Sequence, residues 1–153
     1  MPARKLKEFL DKEKIKYVSI MHSTAYTAQE VAASAHITGK ELAKTVIVEL
    51  DGEMAMAVLP ANRKIVLQDL REVTGCDQVK FASEDQFRAK FPECETGAMP
   101  PFGNLYGMDI YVAEALTENE EIAFNAGTHT EVTKMKFHDF ERLVRPKVVS
   151  FTT

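Results

Sequence analysis

Leu6, Phe9 and Leu10 recur at helical spacing among charges, so residues 3–14 predict an amphipathic surface helix. The apolar period then shortens, and residues 17–21 read as a short strand. After a connector at 22–26, Thr27-Ala-Gln-Glu30 fits a capping box. The helix it opens should turn Val31, Ala32 and Ala35 inward and stop near Gly39. Residues 45–50 and 53–59 are two apolar, β-rich runs separated by Asp51-Gly52, a two-residue hairpin turn because both central positions need positive φ. If Leu50 faces Glu53, the same register sets Lys44 against Leu59. Lys44 then stands at the open end of the hairpin beside Asn62, Arg63 and Lys64, concentrating positive charge at one mouth of the sheet. Both strands are apolar on both faces and are expected to be central and covered.

Further along, residues 67–73 predict a helix closed by Gly75, and 78–81 a short strand. Ser83-Glu-Asp-Gln86 opens another capped helix to about residue 90, before Pro92. Strands follow at 108–113 and 121–125, joined by an acidic connector at 117–121, and then at 131–135. A helix at 137–144 and a strand at 147–151 complete the set. There is no internal repeat, low-complexity run or linker, so one domain over residues 1–153 is expected. Hairpins and helices without strict βαβ alternation predict an α+β fold with a mixed, largely antiparallel sheet.

Composition narrows the function classes. Hydrophobic residues at 45% and charged residues at 27% describe a globular chain that can bury a full core. No apolar run nears the ~20 residues that span a bilayer, so no membrane role is expected. The first residues are too charged for a signal peptide, and Cys76 and Cys94 form no CxxC, so reduced thiols in a cytoplasmic protein are expected. His22, His36, His129 and His138 lack metal-ligand spacing; no metal and no cofactor are expected. A net charge of −4 argues against gripping DNA or a long RNA duplex. Any RNA contact should involve a few terminal nucleotides, or delivery by another protein.

The most unusual stretch is Glu95-Thr-Gly-Ala-Met-Pro-Pro-Phe-Gly103. Pro100 and Pro101 have no N–H, and glycines stand at both ends, so it cannot join a regular ladder. It suits a fixed nest of outward N–H groups for an anion or oxyanion; the plain alternative is a corner between helix and strand. Neither a Gly-x-Ser-x-Gly elbow nor a P-loop is present.

Gly97-Ala-Met-Pro-Pro101 with Phe102-Gly103, Ala43-Lys44-Thr45 before it and Asn125-Ala-Gly127-Thr-His129 after it resemble the motifs of the YbaK/ProX-type aminoacyl-tRNA deacylases. These comprise stand-alone trans-editing proteins and the editing insertion of bacterial prolyl-tRNA synthetases. The resemblance runs from about residue 22 to 143. It implies a curved, barrel-like version of the sheet and hydrolysis of a mischarged aminoacyl ester at the tRNA 3′ end, with a substrate hydroxyl helping to activate water. It also implies catalytic roles for Lys44, holding the terminal phosphate, the ribose or the ester carbonyl, and for Gly97, presenting its N–H to the carbonyl. Ala98, Met99 and Pro101 would shape the loop, Met99 narrowing the pocket towards small side chains. Thr45, Gly127, Thr128 and His129, with His22 and Tyr26 from the connector, would line the substrate site. For each a bland alternative stands: Lys44 as a solvated strand-end lysine, Thr45 as a plain β-former, His129 as a surface-turn histidine. A synthetase or elongation factor is a possible partner. Two other functions stay open: a non-catalytic module binding a synthetase or an aminoacyl-adenosine, and chemistry at Cys94.

Overall fold

The computed structural model describes residues 4–25 and 27–153. The hairpin sets the frame. β2 (Leu42–Leu50) and β3 (Glu53–Pro60) pair antiparallel from Leu50↔Glu53 to Ala43↔Pro60, with Lys44 opposite Leu59 as the turn requires. Asp51 and Gly52 take φ of +49° and +88°. The Asp51 carboxylate also accepts the N–H groups of Gln78 (2.8 Å) and, less strongly, Asp77 (3.0 Å), which hold its pKa below the ordinary value and tie β4 (Val79–Phe81) to the turn. β2 begins at Leu42 rather than at residue 45. Its first residues pair in parallel with β6 (Glu121–Asn125), Leu42↔Ala123 and Ala43↔Phe124, a long-range contact without local signature.

The remaining strands are β1 (Tyr17–Met21), β5 (Asp109–Ala113), β7 (Glu131–Lys136) and β8 (Lys147–Val149). The order is β1-β7-β6-β2-β3-β5-β8, with β4 beside β2; parallel pairs join β3 to β5 and β5 to β8. The sheet is mixed, mostly antiparallel and curved; its two ends do not pair among the described residues. β8 stops at Val149, short of the expected 151. Phe151 is buried instead, and Thr152 bridges Ile65.

Helices α1 (Arg4–Lys12), α2 (Ala28–Ala35), α3 (Leu67–Thr74), α4 (Glu84–Phe87) and α5 (Phe137–Val144) flank the sheet. Both capping boxes form: Thr27 with Glu30, and Ser83 with Gln86. α2 ends early because His36 adopts φ +57° as a left-handed cap, so Gly39 is not its stop. α4 lasts one turn and tightens into a 3-10 turn at Arg88–Lys90.

Alternation along the strands sends residues to two faces. Ala43, Ile47, Met56, Val58, Phe124 and Met135 face one side with Leu6 and Leu10 of α1. There Phe102 sits 5.4 Å from Phe124 and 5.5 Å from Phe140, ring centre to ring centre. Each such buried ring contributes roughly 2–3 kcal/mol. On the opposite side Leu42, Ala123 and Val132 meet Val31 and Ala35 of α2. A Lys7–Glu131 ion pair at 2.8 Å ties α1 to β7.

Candidate active site

The proline loop is pinned at several points. Glu95 N–H donates to Gly127 O (2.8 Å), Gly127 N–H to Ala98 O (2.9 Å), and Ala98 N–H to Glu95 O (3.0 Å). Residues 98–103 are buried while Gly97 is exposed. Gly97 has φ +88°, which a side chain tolerates poorly, although a Cβ there would meet only His129 Cε1, at 3.7 Å. Among the described residues nothing accepts the Gly97 N–H. One donor is thus left unspent at the exposed point of a loop pinned on either side.

His129 closes this arrangement from behind. It is buried, so it is no surface-turn histidine, and its Nε2 lies 2.9 Å from Thr96 O. A carbonyl only accepts, so Nε2 carries the proton. The Glu95 carboxylate stands 3.9 Å from the same nitrogen.

The sheet brings Lys44 beside the strand that leads to the loop's docking point at Gly127. The β2–β6 ladder ends at Ala43↔Phe124, so Lys44 and Asn125 occupy the next step on the face of Leu42 and Ala123. Gly127, where the loop docks, is two residues beyond Asn125, at most about 7 Å along the chain. Lys44 is half-buried, and no described carboxylate lies within ion-pair distance. Desolvation lowers its pKa, and the charge of Lys64 lowers it further. A cation held partly out of water beside a second cation is one that a counter-anion would stabilise.

His22 N–H bonds Thr130 O (2.9 Å), continuing the β1–β7 register, so His22 joins the face of Ile20 and Val132. Its Nδ1 donates to Ser23 O (2.7 Å), leaving Nε2 as an acceptor, buried and without a hydrogen bond among the described residues. Asn125 Oδ1 is likewise buried and unbonded. In the sequence Asn125 stands out only as part of the Asn125-Ala-Gly127 motif. Its signal is tertiary: the pairing that sets it beside Lys44 joins segments eighty residues apart.

Other expected residues divide by face. Thr45 alternates to the inner side with Ala43 and Ile47, its Oγ1 buried without a partner. Met99 is packed in that same core. Pro101 is buried, and Thr128 Oγ1 is engaged within its turn by Thr130 N–H (3.4 Å). Tyr26 lies outside the described residues. Burial raises the Cys94 pKa and keeps the thiol protonated, although Tyr106 Oη, 3.6 Å from its Sγ, pulls the other way. Among the described residues no His/Cys/Asp/Glu group is placed to hold a metal, and no helix is long and apolar enough to cross a membrane.

Comparison with known proteins meets the geometry here. A model of the aminoacyl-tRNA editing domain family matches residues 22–143. The prolyl-tRNA editing protein ProX of Acetoanaerobium sticklandii is 25% identical over 142 residues, which cover 89% of this chain and 86% of that protein. The multifunctional Ser/Thr-tRNA deacylase ProXp-y of Escherichia coli K12 is 28% identical over 114 residues, covering 71% and 68%. Among solved structures, one described as a candidate trans-editing enzyme for prolyl-tRNA synthetase superposes with a TM-score of 0.85 at 17% identity, over 99% of this chain and 97% of that one. A second, the protein APE2540, gives 0.87 at 18%, over 98% and 100%. At such identities the structural likeness speaks for the fold.

Proposed function

The chain belongs to the aminoacyl-tRNA editing domain family, and from that premise we propose that it is a trans-editing hydrolase that cleaves the aminoacyl ester at the 3′ end of mischarged tRNA. The relatives named as a prolyl-tRNA editing protein and a Ser/Thr-tRNA deacylase support this reaction class. An aminoacyl ester is already activated, so the protein has chiefly to hold it, admit one water and stabilise the oxyanion. Water attacks the ester carbonyl with help from the ribose hydroxyl beside the acylated one. The Gly97 N–H donates to the oxygen that becomes negative, and collapse releases the amino acid and the tRNA hydroxyl. Lys44, with Lys64 behind it, anchors the terminal phosphate. His22 Nε2 and Asn125 Oδ1 offer acceptors to ribose hydroxyls or the substrate α-ammonium group. The ligand is the 3′ end of an aminoacyl-tRNA, handed over by a synthetase or an elongation factor, in the cytoplasm.

What supports this reading is a Gly97 N–H without an acceptor among the described residues, on a loop hydrogen-bonded to Gly127, and a Lys44 without a carboxylate partner one step beyond the strand pairing that leads to Asn125. The experiment is deacylation of alanyl-, seryl-, threonyl- and cysteinyl-tRNA species by wild type, Lys44→Ala and Gly97→Ala. Loss of one ester faster than the spontaneous rate, with about 10²-fold or greater slowing in each variant, is expected. Ester decay at the spontaneous rate throughout, or variants equal to wild type, would overturn it.

A further inference from the structure

We infer that His129 is a positioning residue that sets the Thr96–Gly97 peptide plane and thereby aims the Gly97 N–H at the reacting carbonyl; this rests on the function proposed above. The peptide bonds are trans and planar, so the carbonyl and N–H of one peptide point in opposite directions. His129 Nε2–H holds the Thr96 carbonyl at 2.9 Å, which directs the Gly97 N–H away from the imidazole. Gly97 is free to take either orientation, since φ +88° and a Cβ-less backbone allow the peptide to turn. The neighbouring peptides are fixed by other bonds, Ala98 N–H to Glu95 O and Gly127 N–H to Ala98 O. The Thr96–Gly97 peptide is the one in this stretch whose carbonyl is held by a side chain. His129 is itself anchored, because it is buried and its own carbonyl accepts Ala25 N–H at 3.1 Å. The imidazole therefore acts behind the loop, on the side away from substrate, and its contribution is the direction of a main-chain donor.

Two variants separate this role from bulk packing. His129→Gln keeps a side-chain donor for Thr96 O, whereas His129→Phe keeps volume without one. On the ester that wild type deacylates, His129→Phe is expected to lower kcat by about 10²–10³-fold with KM within about twofold, the scale of one lost oxyanion donor. His129→Gln should recover at least a tenth of the wild-type kcat. The Gly97 amide is read in parallel by NMR: its proton shift and solvent exchange should change in His129→Phe and return towards wild type in His129→Gln, at matched melting temperature. If His129→Phe loses activity while the Gly97 amide stays as in wild type, the histidine acts directly and the positioning role is wrong. A displaced amide with undiminished kcat overturns it equally. If wild type deacylates nothing, the proposed function falls, and the Gly97 amide alone decides whether His129 sets the peptide. Should His129→Phe fail to fold, His129→Leu and His129→Gln give the same comparison.

Discussion

Lys44 holds its charge where water is partly excluded and Lys64 stands close, so its pKa lies below the ordinary 10.5. The sign of the linkage follows. At neutral pH folded and unfolded chains both keep the proton and the fold bears the penalty. As pH rises from the lowered value towards 10.5 the folded chain releases its proton first, and stability recovers. A bound phosphate reverses the preference by stabilising the ammonium, so affinity for an anionic ligand should fall as pH passes the lowered Lys44 value. Removing the neighbouring charge with Lys64→Gln should weaken binding at neutral pH and move that fall to higher pH. A non-hydrolysable 3′-aminoacylamido CCA oligonucleotide, titrated from about pH 7 to about 10.5, provides the measurement. Lys44→Gln serves as the blank that removes the ligand's own ammonium titration. If wild type and Lys44→Gln show the same pH profile, Lys44 is not the anchor. This scale was only half legible in sequence. Gly97 and Lys44 stand in local motifs, whereas the partners that define them, Thr96 O on His129 and Asn125 beside Lys44, exist only once distant segments pair.

At the scale of elements, local chemistry read well and long-range pairing did not. The Asp51-Gly52 turn dictated its register because a two-residue loop leaves no slack, and the two capping boxes formed because four residues contain all their partners. The parallel ladders β2–β6, β3–β5 and β5–β8 carry no such signature, and neither does a left-handed histidine ending α2. The proline loop illustrates how two glycines in one motif can do different work. Gly97 is exposed with φ +88°. Gly103 is buried, and a Cβ there would lie 2.5 Å from Met108 O and 2.7 Å from Ile110 Cγ1. Backbone cannot swing aside as a side-chain tip does, so Gly103→Ala should force β5 away from the loop and cost about 1–3 kcal/mol. Gly52→Ala meets nothing within 4 Å and is burdened only by its φ of +88°, an effect of about 1 kcal/mol. Urea unfolding at constant m-value ranks the two. Equal midpoints for both variants would mean that the β5 contact yields freely.

Across the whole molecule the charge distribution limits how a long polyanion can be held. The net charge is −4, and the cation felt at Lys44 is Lys64, while Arg63 turns its Nη1 to Thr153 O at 2.5 Å. The outer rim near β6 carries Glu41, Glu118, Glu120 and Glu121 with Lys40 about an open cavity of about 560 Å³, and although Lys134 pairs with Glu41 and Glu121 the rim keeps an acidic excess that disfavours a duplex backbone. A ligand gripped by two cations on a single-stranded end neutralises about two phosphates, so the slope of log K against log salt should be about −1.4, from about −0.7 for each phosphate. If nothing beyond the end is bound, the same slope should appear for a CCA-ended trinucleotide and for a full-length tRNA. The rate constant kcat/KM on an aminoacylated microhelix should accordingly fall within a few-fold of that on intact tRNA. A slope of about −5 or steeper with intact tRNA alone would reveal a duplex footprint that the acidic surface does not offer, and the end-only mode of binding would have to be abandoned.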